Sequence, residues 1–250
     1  MSEDFAALSC LTLAEQLCKA GLDIVHPFAA DRELDPIFPL ERFGQERAQG
    51  LLVGNTRALW PHLLGWFRQH PGEPHPVQTY VGNALSHAMN AAFAALGAPP
   101  PRQQLYLPHR LDYVGNSGLS AVPFQRLAQA VGFAAVGPAH LSAHAVFGPW
   151  FAFRAVWVLD LAAYSPQATV AQAPCATCRA PCQDVLLEVL ESAGQGTPIP
   201  WERWLAVRDA CPVGRDHRYC ESQLKYHYTK ARRWLKSEIA TNGPPPHGRA

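Results

Sequence analysis

From Phe147 to Leu159 the chain reads Phe-Gly-Pro-Trp-Phe-Ala-Phe-Arg-Ala-Val-Trp-Val-Leu, an aromatic and β-branched run punctuated by one Gly-Pro pair. Such side chains suit a pleated, buried surface. In a strand Val156 and Val158 share one face and Trp157 takes the other, so both faces are apolar and the strand must lie centrally in a sheet. The composition predicts a hairpin over Leu141–Asp160 that turns at Gly148-Pro149, with Ala152 to Leu159 as core. Within this run stands Arg154, whose guanidinium needs a carboxylate or phosphate to offset its desolvation. It is either paired internally or in contact with a ligand, and the same two readings hold for Arg208 beside Asp209.

The rest of the chain alternates helical and strand patterns. Phe5–Leu22 carries Leu8, Leu11, Leu13, Leu17 and Leu22 at a roughly helical repeat. Leu51–Asn55 and Gln104–Leu107 read as strands, with Asp23–Phe28 as a short strand or turn and Asp31–Arg47 as irregular chain. Helices are expected over Leu59–Gln69, where Thr56 is a candidate cap, over Val77–Leu96, Val122–Val131, Asp184–Ser192 and Trp201–Ala210, and as one last helix over Tyr219–Ala240. Turns fall at Gly115–Gly118, and a loop joins Gly194 to Pro200.

The 250-residue chain is 48% hydrophobic and 16% charged, with 23 Pro and 18 Gly, which excludes both a disordered chain and an all-helical bundle. One α+β domain over residues 1–240 is expected, with 241–250 as a disordered Pro-rich tail. The net charge of +1 gives no long-range field to recruit nucleic acid or an anionic membrane. No run approaches the roughly 20 apolar residues of a bilayer span, and the acidic Met1–Asp4 start is unlike a secretory signal, so a cytoplasmic protein is expected.

Phosphate loops and Gly-x-Ser-x-Gly nucleophile elbows are absent, and so is the Asp-x-His-x-x-Gly pattern that presents a histidine to cobalt. The strongest local motif is Cys175-x2-Cys178-x3-Cys182, followed at a distance by Cys211 and Cys220. Three to five thiols of this spacing can hold zinc or an iron-sulfur cluster, and the alternative is a set of reduced cysteines in a loop. Cys175, Cys178, Cys182 and Cys211 are the ligand candidates.

His144-Ala-Val-Phe147-Gly148-Pro-Trp150-Phe151-Ala152-Phe153-Arg154 resembles the His-Pro-Arg-Phe-Gly-Gly-Trp-Phe-Ala-Ile-Arg segment of the cobalamin-processing chaperones of the cblC type. The likeness continues through Leu127-Ala128-Gln129, Arg208-Asp209-Ala210 and Tyr219-x-Glu221-x-Gln223-x-x-Tyr226, and covers residues 15 to 235 in one order. Gly132-x4-Gly137, Phe147-Gly148-x-Trp150 and the cysteines are similar to epoxyqueuosine reductase and reductive dehalogenases, which bind cobalamin beside iron-sulfur clusters. Their doubled Cys-x2-Cys-x2-Cys-x3-Cys-Pro motif is not matched here.

Both resemblances imply a flavin-nitroreductase-like α+β fold with a mixed or antiparallel sheet and a large apolar cavity for base-off cobalamin. The cblC likeness implies an enzyme that removes the upper axial ligand, by decyanation with reduced flavin (FMN or FAD) or by glutathione-dependent dealkylation, and passes the cobalamin to an accepting protein. The alternatives are a cobalamin and iron-sulfur oxidoreductase, or a carrier with a structural zinc. On the same likeness Leu127, Ala128, Gln129, Ser142 and Phe153 match corrin contacts, with His140 beside them. Arg154, Arg208 and one of Arg232 and Arg233, taken as Arg233, match arginines that hold the glutathione carboxylates. A homodimer is left open.

Overall fold

The computed structural model describes residues 3–108, 122–164, 174–192 and 198–242. At its centre β6 (Ala152–Ala162) pairs antiparallel with β2 (Ala48–Asn55) on one side and β3 (Gln103–Tyr106) on the other, and β1 (Ile24–Ala30) lies outside β2. The three sequence-predicted strands therefore share one sheet. All eight residues of β2 are buried, as are Ala155 to Leu159 of β6.

Covering both faces accounts for most of the remaining chain. Leu51, Val53, Ala155, Trp157 and Leu159 point toward α1 (Glu3–Lys19) and α3 (Pro76–Ala95), meeting Leu13, Leu17, Leu85, Met89 and Phe93. Leu52, Val156 and Val158 point the other way, onto Phe38 and Leu40 of the long connection and Phe124, Leu127 and Ala128 of α4 (Phe124–Ala130). This is the period-2 split of a central strand, with Trp157 on the helical side. Trp157 is only 2% exposed, and its indole nitrogen donates to Gln103 Oε1 at 2.6 Å.

A third layer is built from helices that lie outside the sheet. α2 (Leu59–Gln69) packs with α8 (Arg233–Asn242), α5 (Pro181–Glu191) with α6 (Trp201–Asp209), and α7 (Glu221–Thr229) lies between these pairs through Tyr226 and Leu224. Thr56 is not the cap of α2. Ala58 takes that position, while the Thr56 hydroxyl and amide both donate to the Asp23 carboxylate and anchor the turn between β2 and α2.

Two further expectations are corrected. The predicted hairpin over Leu141–Asp160 does not form: β5 (Ser142–Ala143) pairs with β4 (Ala135–Val136), and Gly148 closes only a bridge to His144. The cause is non-local. Gly148 (φ +53) and Gly214 (φ +73) lie against each other's chain so closely that a Cβ on either would come within 2.0 Å of Val213 O or 2.1 Å of Phe147 O. The predicted last helix is also broken, at Lys230 (φ 54), whose amide closes α7 onto Tyr226 O. Tyr226 and Leu235 both pack in the Trp60 cluster. Nine residues apart, they would sit on opposite faces of one straight helix, so the turn is required. α8 runs through Asn242, and the rest of the tail expected from 241, residues 243–250, like the Gly115–Gly118 turn, lies outside the described residues.

Gly148→Ala should cost roughly 3 kcal/mol or more, since it adds a backbone clash to the left-handed strain. Gly97→Ala has a similar φ of +65 with nothing within 4 Å of the added Cβ and isolates the strain alone, at about 1 kcal/mol. Denaturant midpoints of the two variants check the difference, and equal losses would show that the Gly148 contact with Val213 carries no weight.

Candidate functional site

The first half of β6 separates two cavities. The larger, about 430 Å³, is walled by Ala139, Leu141 and Ser142 from the β4–β5 ribbon, by Pro149 and Phe151 to Phe153, by Leu186 of α5 and Trp204, Val207 and Arg208 of α6, and by His227 and Tyr228 of α7. Its floor is aromatic: the Phe153 ring lies 5.2 Å from Phe151 and 5.8 Å from Phe124 between centroids. Polar groups are few. The Ser142 hydroxyl is buried with no hydrogen-bond partner, and Gln125 stands at one side, its amide donating to His140 O at 2.9 Å.

The smaller cavity, about 230 Å³, is lined by Trp60, Leu63 and Val77 on one side and Arg154, Tyr219, Gln223, Tyr226, His227 and Lys230 on the other. Among the described residues no carboxylate lines it. Arg154 donates through Nε to Asn55 Oδ1 at 2.5 Å, and among the described residues it has no ion pair. Trp60 Nε1, Tyr219 Oη and Gln223 Oε1 are likewise buried without partners. Of these, Trp60 Nε1 and Tyr219 Oη are donors and Gln223 Oε1 is an acceptor; the two unmet donors beside a cation with no counter-charge make a site complementary to an anion. Burial pulls the Arg154 and Lys230 pKa values down, and Arg154 lowers Lys230 further.

His227 borders both cavities. Burial, and then the positive charges of Arg208, Lys230 and Arg154, pull its pKa from 6.5 to about 3. The imidazole is therefore neutral at any physiological pH. His144 is also held down by burial, but its role is local: Nδ1 accepts the amides of Val146 and Phe147 and the ring stacks on Phe147 at 4.5 Å.

The structure divides the sequence-predicted residues. Ser142 and Phe153 line the larger cavity, whereas Leu127 and Ala128 are fully buried beneath its floor. Gln129 is exposed and accepts the Val136 amide at 3.2 Å, tying α4 to β4, and His140 is exposed in a left-handed turn at φ 57. Arg208 reaches the larger cavity but is not paired with Asp209, whose carboxylate is held by Arg218 at 2.6 and 3.0 Å. Arg208 instead donates to Pro149 O at 2.9 and 2.7 Å and lies 4.5 Å above the Trp150 ring and 4.9 Å from Tyr219. Arg233, over Trp234 at the start of α8, borders neither cavity. Gln125, Trp204, His227 and Tyr228 were not singled out from sequence. Gln125 is one turn before Gln129 on α4, the Tyr226-His227-Tyr228 triplet was the visible signal for His227 and Tyr228, and no local pattern marked Trp204.

Cys175, Cys178, Cys182 and Cys211 line a third, much smaller space. Cys220 is exposed at the start of α7 and does not join them. As the side chains stand, no three His, Cys, Asp or Glu among the described residues are arranged to hold a metal ion. No helix among the described residues is long and apolar enough to cross a membrane.

No family model and no curated protein sequence matches the chain. Among solved structures it is similar to the crystal structure of a B12-trafficking protein, CblC, from C. elegans, described as a homologue of human MMACHC. The TM-score is 0.68 with 14% identity, over 94% of this chain and 97% of that one. The fold is thus shared along nearly the whole of both chains, in the nitroreductase-like arrangement expected from the sequence.

The neutral His227 makes stability depend on pH. Its folded pKa lies below the unfolded value, so its contribution is complete above about pH 6.5 and is lost as the pH falls toward 3, because the unfolded chain then takes up a proton the folded one refuses. At pH 5 the loss should be about 2 kcal/mol. Denaturant unfolding at pH 7.5 and 5 reads it, and His227→Phe should be less sensitive to the same pH step than the parent.

Proposed function

We propose that the chain binds a cobalamin and removes its upper axial ligand, with the edge of the corrin in the larger cavity and an acidic thiol co-substrate in the smaller. One observation carries this reading: an apolar, aromatic-floored cavity and a cationic one adjoin across His227 and the start of β6. A corrin needs a broad apolar surface with few polar anchors, which Phe151, Phe153, Leu141 and Trp204 supply. A corrinoid is larger than about 430 Å³, so one edge enters and the rest lies over the rim. Ser142 Oγ and Gln125 are the side chains placed to meet the polar substituents of that edge. The trafficking role printed for the C. elegans relative and the cblC-like motifs agree with this cargo.

The cationic cavity suits a carboxylate-bearing thiol such as glutathione. Arg154 offers its two terminal nitrogens as a planar fork, and Lys230, Trp60 and Tyr219 offer further donors. In a dealkylation the thiolate sulfur bonds to the upper alkyl carbon while the cobalt–carbon bond breaks, its electron pair staying on cobalt; the products are a thioether and the reduced corrinoid. The protein's part is to hold the two reactants in register and keep water away, which converts a bimolecular reaction to an oriented one. His227, neutral, can accept a hydrogen bond from the incoming thiol without adding another positive charge. Arg208 acts as a positioning residue, since its guanidinium holds the carbonyls that shape the wall between the cavities. With reduced flavin in place of the thiol, the same larger cavity would serve decyanation.

Titration with cyanocobalamin should shift its spectrum to the base-off form at micromolar or lower concentrations. Phe153→Asp should abolish the shift by placing a charge in the apolar floor. Arg154→Lys keeps the charge but loses the fork, so thiol-dependent dealkylation should fall about tenfold to a hundredfold, or on the order of 1 to 3 kcal/mol, with cobalamin affinity little changed. An unchanged cyanocobalamin spectrum with the parent protein would overturn the proposal.

A further inference from the structure

We infer that Cys175, Cys178, Cys182 and Cys211 are the four ligands of one thiolate-held metal centre that fastens the start of α5 to the loop after α6. The inference is independent of what the larger cavity binds. Two separate pieces of chain bring these thiols to one place: the stretch from Cys175 into the first turn of α5, and the loop after α6. Besides them the space is lined by Pro138, Pro174, Ala180, Pro212 and Val213, with no lysine, arginine or carboxylate to compete for the sulfurs. Four soft sulfur donors in an apolar surround select thiophilic metals such as zinc or iron, the latter as a cluster.

The backbone is shaped for this. Ala180 is left-handed at φ 55 and ψ 48, unusual for a residue with a Cβ, and its strained turn brings Cys178 and Cys182 to the same side. The Ala180 amide donates to Cys178 Sγ at 3.4 Å, the kind of outer contact that orients a ligating thiolate. Cys211 lies three residues before the Gly148–Gly214 crossing, which fixes this loop. Cys220, which the sequence left as a possible later ligand outside the four candidates, lies elsewhere.

The space between the thiols is about 10 Å³, the room of one water-sized sphere. A single zinc ion fills it once the side chains turn inward to the roughly 2.3 Å bonds zinc requires. A cluster, in which each thiolate binds its own iron, needs them to draw back instead. Either centre would brace the cavity wall. Leu186 lies one helical turn after Cys182, and Val207 and Arg208 lie one turn before Cys211.

The full chain, produced in medium supplemented with zinc and iron and purified without oxygen or chelator, tests this by elemental analysis, labile sulfide and visible spectrum. Stoichiometric zinc with no visible band, or iron and sulfide with a broad band that bleaches on reduction, would each establish the centre and tell which kind it is. Cys182→Ser and Cys211→Ser should lose at least tenfold in bound metal, while Cys220→Ser and Cys18→Ser retain it. Thiol titration of the native parent covers the case of unfolded variants: the four ligands should be slow to react until metal is stripped. Parent protein without stoichiometric metal after separate supply of zinc and of iron with sulfide overturns the inference, as does metal that persists in the Cys182→Ser/Cys211→Ser double variant.

Discussion

A buried guanidinium with no carboxylate beside it decides where the central strand begins. Arg208 is 6% exposed, lies against the rings of both Trp150 and Tyr219, and is satisfied by the carbonyls of Pro149 and Phe151. Those carbonyls belong to the three residues that lead into β6, and every residue from Pro149 to Phe153 except Trp150 faces the larger cavity. Burying a cation is costly unless its donors are met and its charge is offset; here backbone dipoles and two aromatic faces do both. Because the acceptors are main-chain atoms, the contact fixes backbone position, and with it the wall dividing the two cavities.

The contrast with Arg154 is informative. Both arginines occur in apolar surroundings, and neither has a carboxylate partner among the described residues. Arg208 is saturated by the fold. Arg154 has one acceptor, Asn55 Oδ1, and faces a cavity that contains further unmet donors. Incomplete satisfaction is destabilising by itself and persists in folded proteins where a ligand or ordered water completes it. The same reasoning ranks Arg208 as structural and Arg154 as a residue that meets a ligand, a distinction that their shared match to family arginines does not make.

The sheet was legible because its signal is local. Leu51–Asn55, Gln104–Leu107 and Ala152–Leu159 are short apolar runs, and α2 was read to its observed bounds from periodicity alone. What failed depended on partners far along the chain. A Gly-Pro pair looks like a hairpin turn until Val213 and Gly214, some 65 residues later, are seen to occupy the space a returning strand would need. The break at Lys230 follows from where α2 sits, which no local pattern reveals. At the site, Leu127 and Ala128 carry the family match but are the apolar side of a short amphipathic helix, so they are drawn into the core and leave Gln125 to face the cavity. Arg154 was recognisable as a charge either paired internally or in contact with a ligand; that no ion pair meets it among the described residues required the packed structure.

Between the two cavities the protein places an imidazole that cannot become charged under ordinary conditions. Arg154, Arg208 and Lys230 already raise the local positive potential, and protonating His227 among them would add repulsion to the cost of burial. The consequence is directional. Negative charge is complemented on the Arg154 side, while the arginine of the larger cavity, Arg208, is already occupied by the carbonyls of Pro149 and Phe151. A reactant that carries an anionic handle and a neutral reacting end would therefore be held by the handle, with its other end directed toward the apolar chamber. Under the proposed function, that asymmetry would favour a nucleophile delivered by a tethered anionic molecule and an electrophile carried on a large, mostly apolar group, each suited to one half of the site.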